Sequence, residues 1–162
     1  MYKTCEEHNL KNYKIKILNQ LLTIYSKNER VEKISNILSR IAELNKQEKY
    51  TENAVKSIIT IVRGSNYAKI KGDLINFIEN FDQETKLKSY LFLLERAIEE
   101  SDKNEARNIY GKVESLVDEY DNLNASLQLE FYSLDFKYSN LMGIDVSDKI
   151  HQIELRIPKL EA

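Results

Sequence analysis

Apolar residues recur along most of this chain at gaps of three and four, the spacing that lines one face of a 3.6-residue helix. The clearest run covers Leu87 to Tyr120. Leu87, Tyr90, Leu91, Leu94, Ala97 and Ile98 form one stripe, and Ala106, Ile109, Tyr110, Val113, Leu116, Val117 and Tyr120 form the next. The turn around Ser101-Asp102 is short enough to force the two helices antiparallel, so that their stripes can face each other. Asp102 and Glu105 stand at capping-box spacing, which places the Asp102 carboxylate to accept from a first-turn N–H, with Ser101 as the alternative cap.

The same pattern extends in both directions. A Thr4–Glu7 capping box predicts a first helix to about Ser26, burying Leu10, Tyr13, Ile17, Leu18, Leu21, Leu22 and Tyr25. Asn28-Glu29 opens a second, with Val31, Ile34, Ile37, Leu38, Ile41 and Leu44 inward. A third starts at Thr51, carries Ala54, Val55, Ile58, Ile59, Ile61 and Val62, and stops at Gly64, read as a left-handed C-terminal turn. A fourth starts at Ser65 or Asn66 and buries Tyr67, Ile70, Leu74, Phe77, Ile78 and Phe81; Gly72 inside it points to a close approach of a neighbouring helix. Asp82 caps the fifth. After a break at 121–124, Leu127, Phe131, Leu134, Tyr138 and Leu141 form a seventh stripe that ends at Gly143. Tyr132 and Phe136 fall off that stripe, so this helix is apolar on two faces and is either central or covers a partner. Ser147 opens a last helix through Ile150 and Ile153. Within 150–157 the alternation of Ile153, Leu155 and Ile157 offers a short strand as the alternative.

Tyr90, Leu93, Leu94 and Ala97, followed by Ala106, Tyr110 and Val113, resemble the spacing of a tetratricopeptide helical hairpin. Leu94 stands where that family has a small residue, Ala97 where it has an aromatic, and Asp118 where it has its closing proline. A second regularity covers more of the chain. Leu18, Leu38, Ile58, Ile78 and Ile98 are spaced by 20, as are Ile34, Ala54, Leu74 and Leu94, and Leu21, Ile41, Ile61 and Phe81. A step of 20 is one helix and its turn, so a helical pair takes about 40 residues, the length class of stacked hairpin arrays. The expected fold is all-α, with seven to eight antiparallel helices in one domain over 1–162. They form a short hairpin stack like a tetratricopeptide solenoid, or alternatively a closed up-and-down bundle.

Composition agrees. With 4 Gly and 1 Pro in 162 residues, the chain lacks the turn residues that a many-stranded sheet uses. No apolar run reaches the ~20 residues that span a bilayer. The polar N-terminus does not read as a secretory leader, and a lone Cys5 cannot form an internal disulfide, so a cytoplasmic protein with no membrane contact is expected. Residues 1–81 carry 14 Lys+Arg against 9 Asp+Glu, whereas residues 82–162 carry 10 against 17. Such an asymmetry can steer a partner or align copies head to tail.

Candidate chemistry is sparse. Cys5 and His8 are three apart at a helix start, where a thiol and its base would be loosely held. Asp148 and His151 have the spacing of a carboxylate–histidine metal half-site, but a second half is missing. Glu95, Glu99, Glu114 and Asp118 could hold Mg²⁺ between two helices only if they turned inward, and Leu94, Ala97 and Ile98 already define the inward stripe. There is no phosphate loop and no Gly-rich dinucleotide turn. The expectation is therefore a non-enzyme without cofactor or metal: a protein-interaction or scaffold module that binds another protein or itself. Ten tyrosines without tryptophan suit such a role, and Tyr132, Phe136 and Tyr67 are its candidate contacts. The alternative is a small nucleic-acid-binding subunit using Lys11, Lys14, Lys16, Arg63, Lys69 and Lys71 of the basic first half. A pI near 5.8 disfavours it, because such affinity comes mainly from phosphate neutralisation.

Overall fold

A computed structural model describes residues 2–28, 30–47, 51–64, 67–120 and 123–160. Among them are eight α-helices and no strand: α1 (Tyr2–Lys27), α2 (Val31–Gln47), α3 (Thr51–Val62), α4 (Tyr67–Ile78), α5 (Gln83–Glu99), α6 (Lys103–Glu119), α7 (Ala125–Met142) and α8 (Ser147–Leu160). The C-terminal segment is thus a helix and not a strand. No helix among the described residues is long and apolar enough to cross a membrane. The helices group into two compact units, 1–89 and 90–162, with the division inside α5.

In the first unit α1 packs along both α2 and α3, α2 packs along α4, and α3 meets α4. The seams are aliphatic: Ile15, Leu18 and Leu22 from α1, Ile34, Leu38 and Ile41 from α2, Ala54, Ile58 and Ile61 from α3, and Ile70, Leu74, Phe77 and Ile78 from α4 are all buried. Each such side chain contributes about 1.5–3 kcal/mol by leaving water. Two polar links cross between the hairpins: Ser57 on α3 donates to Asn19 on α1, and Ser35 on α2 donates to Asp73 on α4. Both span 38 residues, close to the helix-pair length read from the apolar spacing. Most positions of the 20-residue register, from Leu18, Leu38, Ile58 and Ile78 to Ile34, Ala54, Leu74 and Leu94, are buried.

In the second unit α6 packs on α7, and α7 on α8. The C-terminal half of α5 joins them: Lys112 lies over the Tyr90 ring at 5.3 Å, and Lys137 reaches Glu95 at 3.8 Å. Leu91, Leu94, Ala97, Ala106, Ile109, Val113, Leu127, Phe131 and Leu134 fill this core.

Several helix ends follow from side-chain chemistry. Asp82 opens α5 by accepting from the Thr85 N–H at 3.0 Å, and Asp102 opens α6 by accepting from the Glu105 N–H at 3.0 Å. Asn124 does the same for α7 toward Leu127. At the end of α5, Ser101 is not a cap for α6. It takes the left-handed position (φ 56°) of a Schellman turn, with Ser101 N–H donating to Ile98 O at 3.0 Å and Asp102 N–H to Ala97 O at 2.9 Å. Gly143 (φ 71°) holds the equivalent place after α7, donating to Asn140 while Ile144 donates to Ser139. The last helix is opened by Asp145, whose carboxylate accepts from both the N–H and the hydroxyl of Ser147 at 3.0 and 2.8 Å. Those bonds hold the Asp145 carboxyl below its usual range.

Other expectations are corrected. Helix α1 runs from Tyr2, so Thr4 lies inside it, and α2 starts at Val31 with Arg30 O accepting from Lys33 and Ile34. On α1 the buried residues are Ile15, Leu18, Leu22 and Ser26, while Leu10, Tyr13 and Ile17 are exposed. The helix carries two apolar stripes, and the more N-terminal one supplied the wrong phase. Gly64 does not take a left-handed backbone; a Cβ there would come within 3.2 Å of Ser26 Cβ, so close approach to α1 is what needs glycine. Gly72 has open space around its Cα and marks no close approach. The start of α4 at Ser65-Asn66, Glu29 and the break at Asp121-Asn122 lie outside the described residues.

Relieving the left-handed serine should stabilise the chain. Ser101→Gly is expected to raise stability by about 0.5–1 kcal/mol, the αL strain less the added freedom of the unfolded glycine. Gly72→Ala, which fills open space on a helix face, should add a similar ~0.5–1 kcal/mol. Urea unfolding followed by circular dichroism measures both.

Candidate functional site

The candidate contact residues separate on the structure. Tyr67 is 9% exposed and belongs to the core of the first unit, which removes it from the accessible set. Tyr132 is half-buried beside Phe131, with ring centroids 5.8 Å apart. Phe136 is exposed, and so is Leu129 seven residues before it. Leu129, Tyr132 and Phe136 therefore form a second, outer stripe on α7, opposite in character to the inner one of Leu127, Phe131, Leu134 and Tyr138. This is the two-faced helix that the sequence pattern implies.

A longer outer stripe lies on α1. Leu10, Tyr13, Ile17 and Ile24 are 58, 64, 55 and 50% exposed. With the exposed Gln20 they occupy successive a and d positions of a heptad. At 100° per residue the stripe is centred far around the helix from Ile15, Leu18, Leu22 and Ser26, which face α2 and α3. Its edges are basic: Lys14 follows one side, and Lys16 and Lys27 the other. The Lys16 ammonium lies over the Tyr13 ring at 5.8 Å. No Asp or Glu occurs between Glu7 and Glu29.

The six basic residues of the nucleic-acid alternative share no single helix face. Lys11, Lys14 and Lys16 point in three directions around α1, and Lys69 and Lys71 fall on opposite sides of α4. Arg63 is on the turn after α3, where it lines a cleft together with Lys27.

Side chains with reactive potential are distributed in the same uneven way. The side chains of Cys5 and His8 lie outside the described residues. Asp148 and His151 are exposed on α8, and Glu99, Glu114 and Asp118 are exposed on α5 and α6. No group of three or more metal-ligating side chains occurs among the described residues.

Among the described residues, a polar constellation that spacing along the sequence does not reveal joins α6, α7 and α8. The Tyr110 hydroxyl donates to Asp135 Oδ1 at 2.7 Å. The Lys149 ammonium donates to the same oxygen at 2.8 Å and to the Ser139 hydroxyl at 3.0 Å. Tyr110 stacks on Tyr138 with centroids 4.0 Å apart and planes 5° from parallel, and Lys149 lies 5.8 Å from the Tyr110 centroid. Asp135, Tyr138 and Ser139 are buried. Burial first, then the bond to the Asp135 carboxylate and its charge, push the Tyr110 hydroxyl far above its usual range. Both donors meet on the one Asp135 oxygen. The cluster thus clamps three helices through charge-assisted bonds. The only sequence signal for it was an acidic residue, Asp135, beside the inner stripe of α7.

Compared with known protein families, curated proteins and solved structures, the chain matches none.

Tyr110→Phe should cost about 1.5–3 kcal/mol, because it removes a bond to a charged acceptor that stays buried. The pH dependence has a definite sign. A hydroxyl whose folded pKa lies above its unfolded value near 10.0 adds stability below that pH, and the contribution drains away as pH rises beyond it. The wild-type chain should therefore lose stability faster above pH 10 than Tyr110→Phe does, as read from denaturant midpoints between pH 8 and 11.

Proposed function

We propose that this chain is a non-catalytic protein–protein interaction module built from stacked helical hairpins. The layering of α1 on α3 and of α2 on α4 supports a stack, since hairpins piled face to face bring each helix against the second one along in sequence.

The observation that carries the reading is the outer stripe of α1. Four large apolar side chains at heptad spacing, each at least half exposed, are costly to keep in water and are arranged to receive another helix. The occupant is an amphipathic helix of another protein with acidic residues flanking its apolar seam. A second copy of α1 would bring Lys14, Lys16 and Lys27 against their own counterparts, and like charges across a seam oppose pairing. A partner with glutamates at those edges gains from each contact and associates faster at low salt. The Leu129–Phe136 stripe of α7 is a shorter surface of the same kind.

A synthetic helix of about three heptads, with Leu at a and d and Glu at e and g, serves as the probe. Fluorescence anisotropy should show saturable binding that weakens as salt is raised, and no binding of the same peptide with Lys at e and g. The double substitution Tyr13→Ser, Ile17→Ser should weaken it about tenfold or more and change stability by less than about 0.5 kcal/mol, as exposed positions do. Equal binding of both peptides, or an unaffected double variant, overturns the reading. Light scattering that shows a dimer dissociated by the same double variant would replace the partner with a second copy.

A further inference from the structure

The last turns of α1 and α3 enclose a cleft of about 420 Å³ in the first unit, lined by Thr23, Ser26, Lys27, Thr60, Arg63 and Gly64, with Ile59 as an apolar wall. Its size falls at the small end of the range for small-molecule sites. Two features set it apart from a gap between helices. Lys27 and Arg63 are both exposed, and neither forms an ion pair with any described residue. The Ser26 hydroxyl is also without a hydrogen-bond partner although Ser26 is 95% buried, its exposure being 5%. The neighbouring hydroxyls behave otherwise: Thr23 donates to Asn19 O and Thr60 to Lys56 O, both at 3.0 Å. Both are already satisfied as donors, so among the hydroxyls of the residues lining the cleft Ser26 is the one with a proton left to give. Gly64 admits the approach, because a Cβ at that position would press on Ser26 at 3.2 Å.

Charge decides what fits. Both helices end at this cleft, and each C-terminus contributes roughly half a negative charge. Two cations against two such termini leave a net charge near +1, and no acidic residue is among the described residues that line the walls. A single negative charge is neutralised there, whereas a dianion is not. Arg63 presents the planar fork that matches a carboxylate.

We propose that this cleft binds the carboxylate of a small monoanionic organic acid, with Arg63 and Lys27 on the carboxylate, the Ser26 hydroxyl donating to it, and the apolar body of the acid against Ile59. The site lies away from the outer stripe of α1 in everything but Lys27, so it stands or falls separately from the interaction reading.

Nuclear magnetic resonance titration of the full chain tests it, with hexanoate as the probe, hexan-1-ol as the uncharged control and inorganic phosphate, buffered far enough above neutral pH to be the dianion, as the doubly charged control. Hexanoate should give saturable shifts at the amides of Thr23, Ser26 and Gly64, hexan-1-ol none, and phosphate at least tenfold weaker ones. Arg63→Gln should weaken hexanoate about tenfold, and Ser26→Ala severalfold. Should Arg63→Gln fail to fold, Arg63→Lys and a salt series on the native chain decide: part of the affinity must survive in the former, and affinity must fall with salt in the latter. No saturable shift with hexanoate, shifts equal to those with hexan-1-ol, or affinity unchanged in Arg63→Gln would each overturn the site. Tighter binding of phosphate than of hexanoate would overturn the charge argument. Binding of the acidic helix probe to the same samples reads the outer stripe independently.

Discussion

A helix has a limited circumference, and in the first unit one face of α1 is committed twice. Ile15, Leu18 and Leu22 enter the seams with α2 and α3, and the Asn19–Ser57 bond pins the same side to α3. That double engagement is the constraint on which the rest depends. It sets the offset between hairpins, seats Ile58 and Ile61 under α1, and leaves α2 to meet α4 through Leu38, Leu74 and Phe77. It also dictates what α1 must turn to solvent. Once the committed face is spent, Leu10, Tyr13, Ile17 and Ile24 have only water or another molecule to meet.

The same constraint shapes the cleft. Packing α1 against α3 brings two helix ends side by side, each with a cation close by. Lys27 and Arg63 offset those partial negative charges, as basic residues at helix C-termini do. Gly64 permits the backbone to pass Ser26, and the passage removes that hydroxyl from water without giving it an acceptor. Leaving such a group unpaired costs about 1–3 kcal/mol, a cost that a bound oxyanion would remove.

The second unit is held differently. Its aliphatic core is supplemented by polar chemistry between Tyr110, Asp135, Ser139 and Lys149, which ties the short last helix to α7 with two bonds from one ammonium. Ile150 and Leu155 of α8 are both exposed. The charge-assisted clamp works because Asp135 and Ser139 are one turn apart on α7 and within reach of a single lysine.

Much of this was legible from residues alone. The 3.6 period located every helix, because burial of a stripe is a local requirement repeated along each one. Asp82, Asp102 and Gly143 marked helix ends, because capping is a matter of neighbouring residues. Where a helix carries two apolar stripes the period cannot say which one is buried, and on α1 Leu10, Tyr13 and Ile17 of the outer stripe were grouped with the buried Leu18 and Leu22. Serine at the left-handed position of residue 101, the close pass at Gly64, the burial of Tyr67, the Tyr110–Asp135–Lys149 clamp and the Lys27–Arg63 cleft all depend on residues tens of positions apart coming together. Periodicity determined that the chain is helical and roughly where each helix runs; which stripe faces inward, and which polar groups meet, was decided only by how the helices pack, since contact between distant residues leaves no trace in the spacing of near ones.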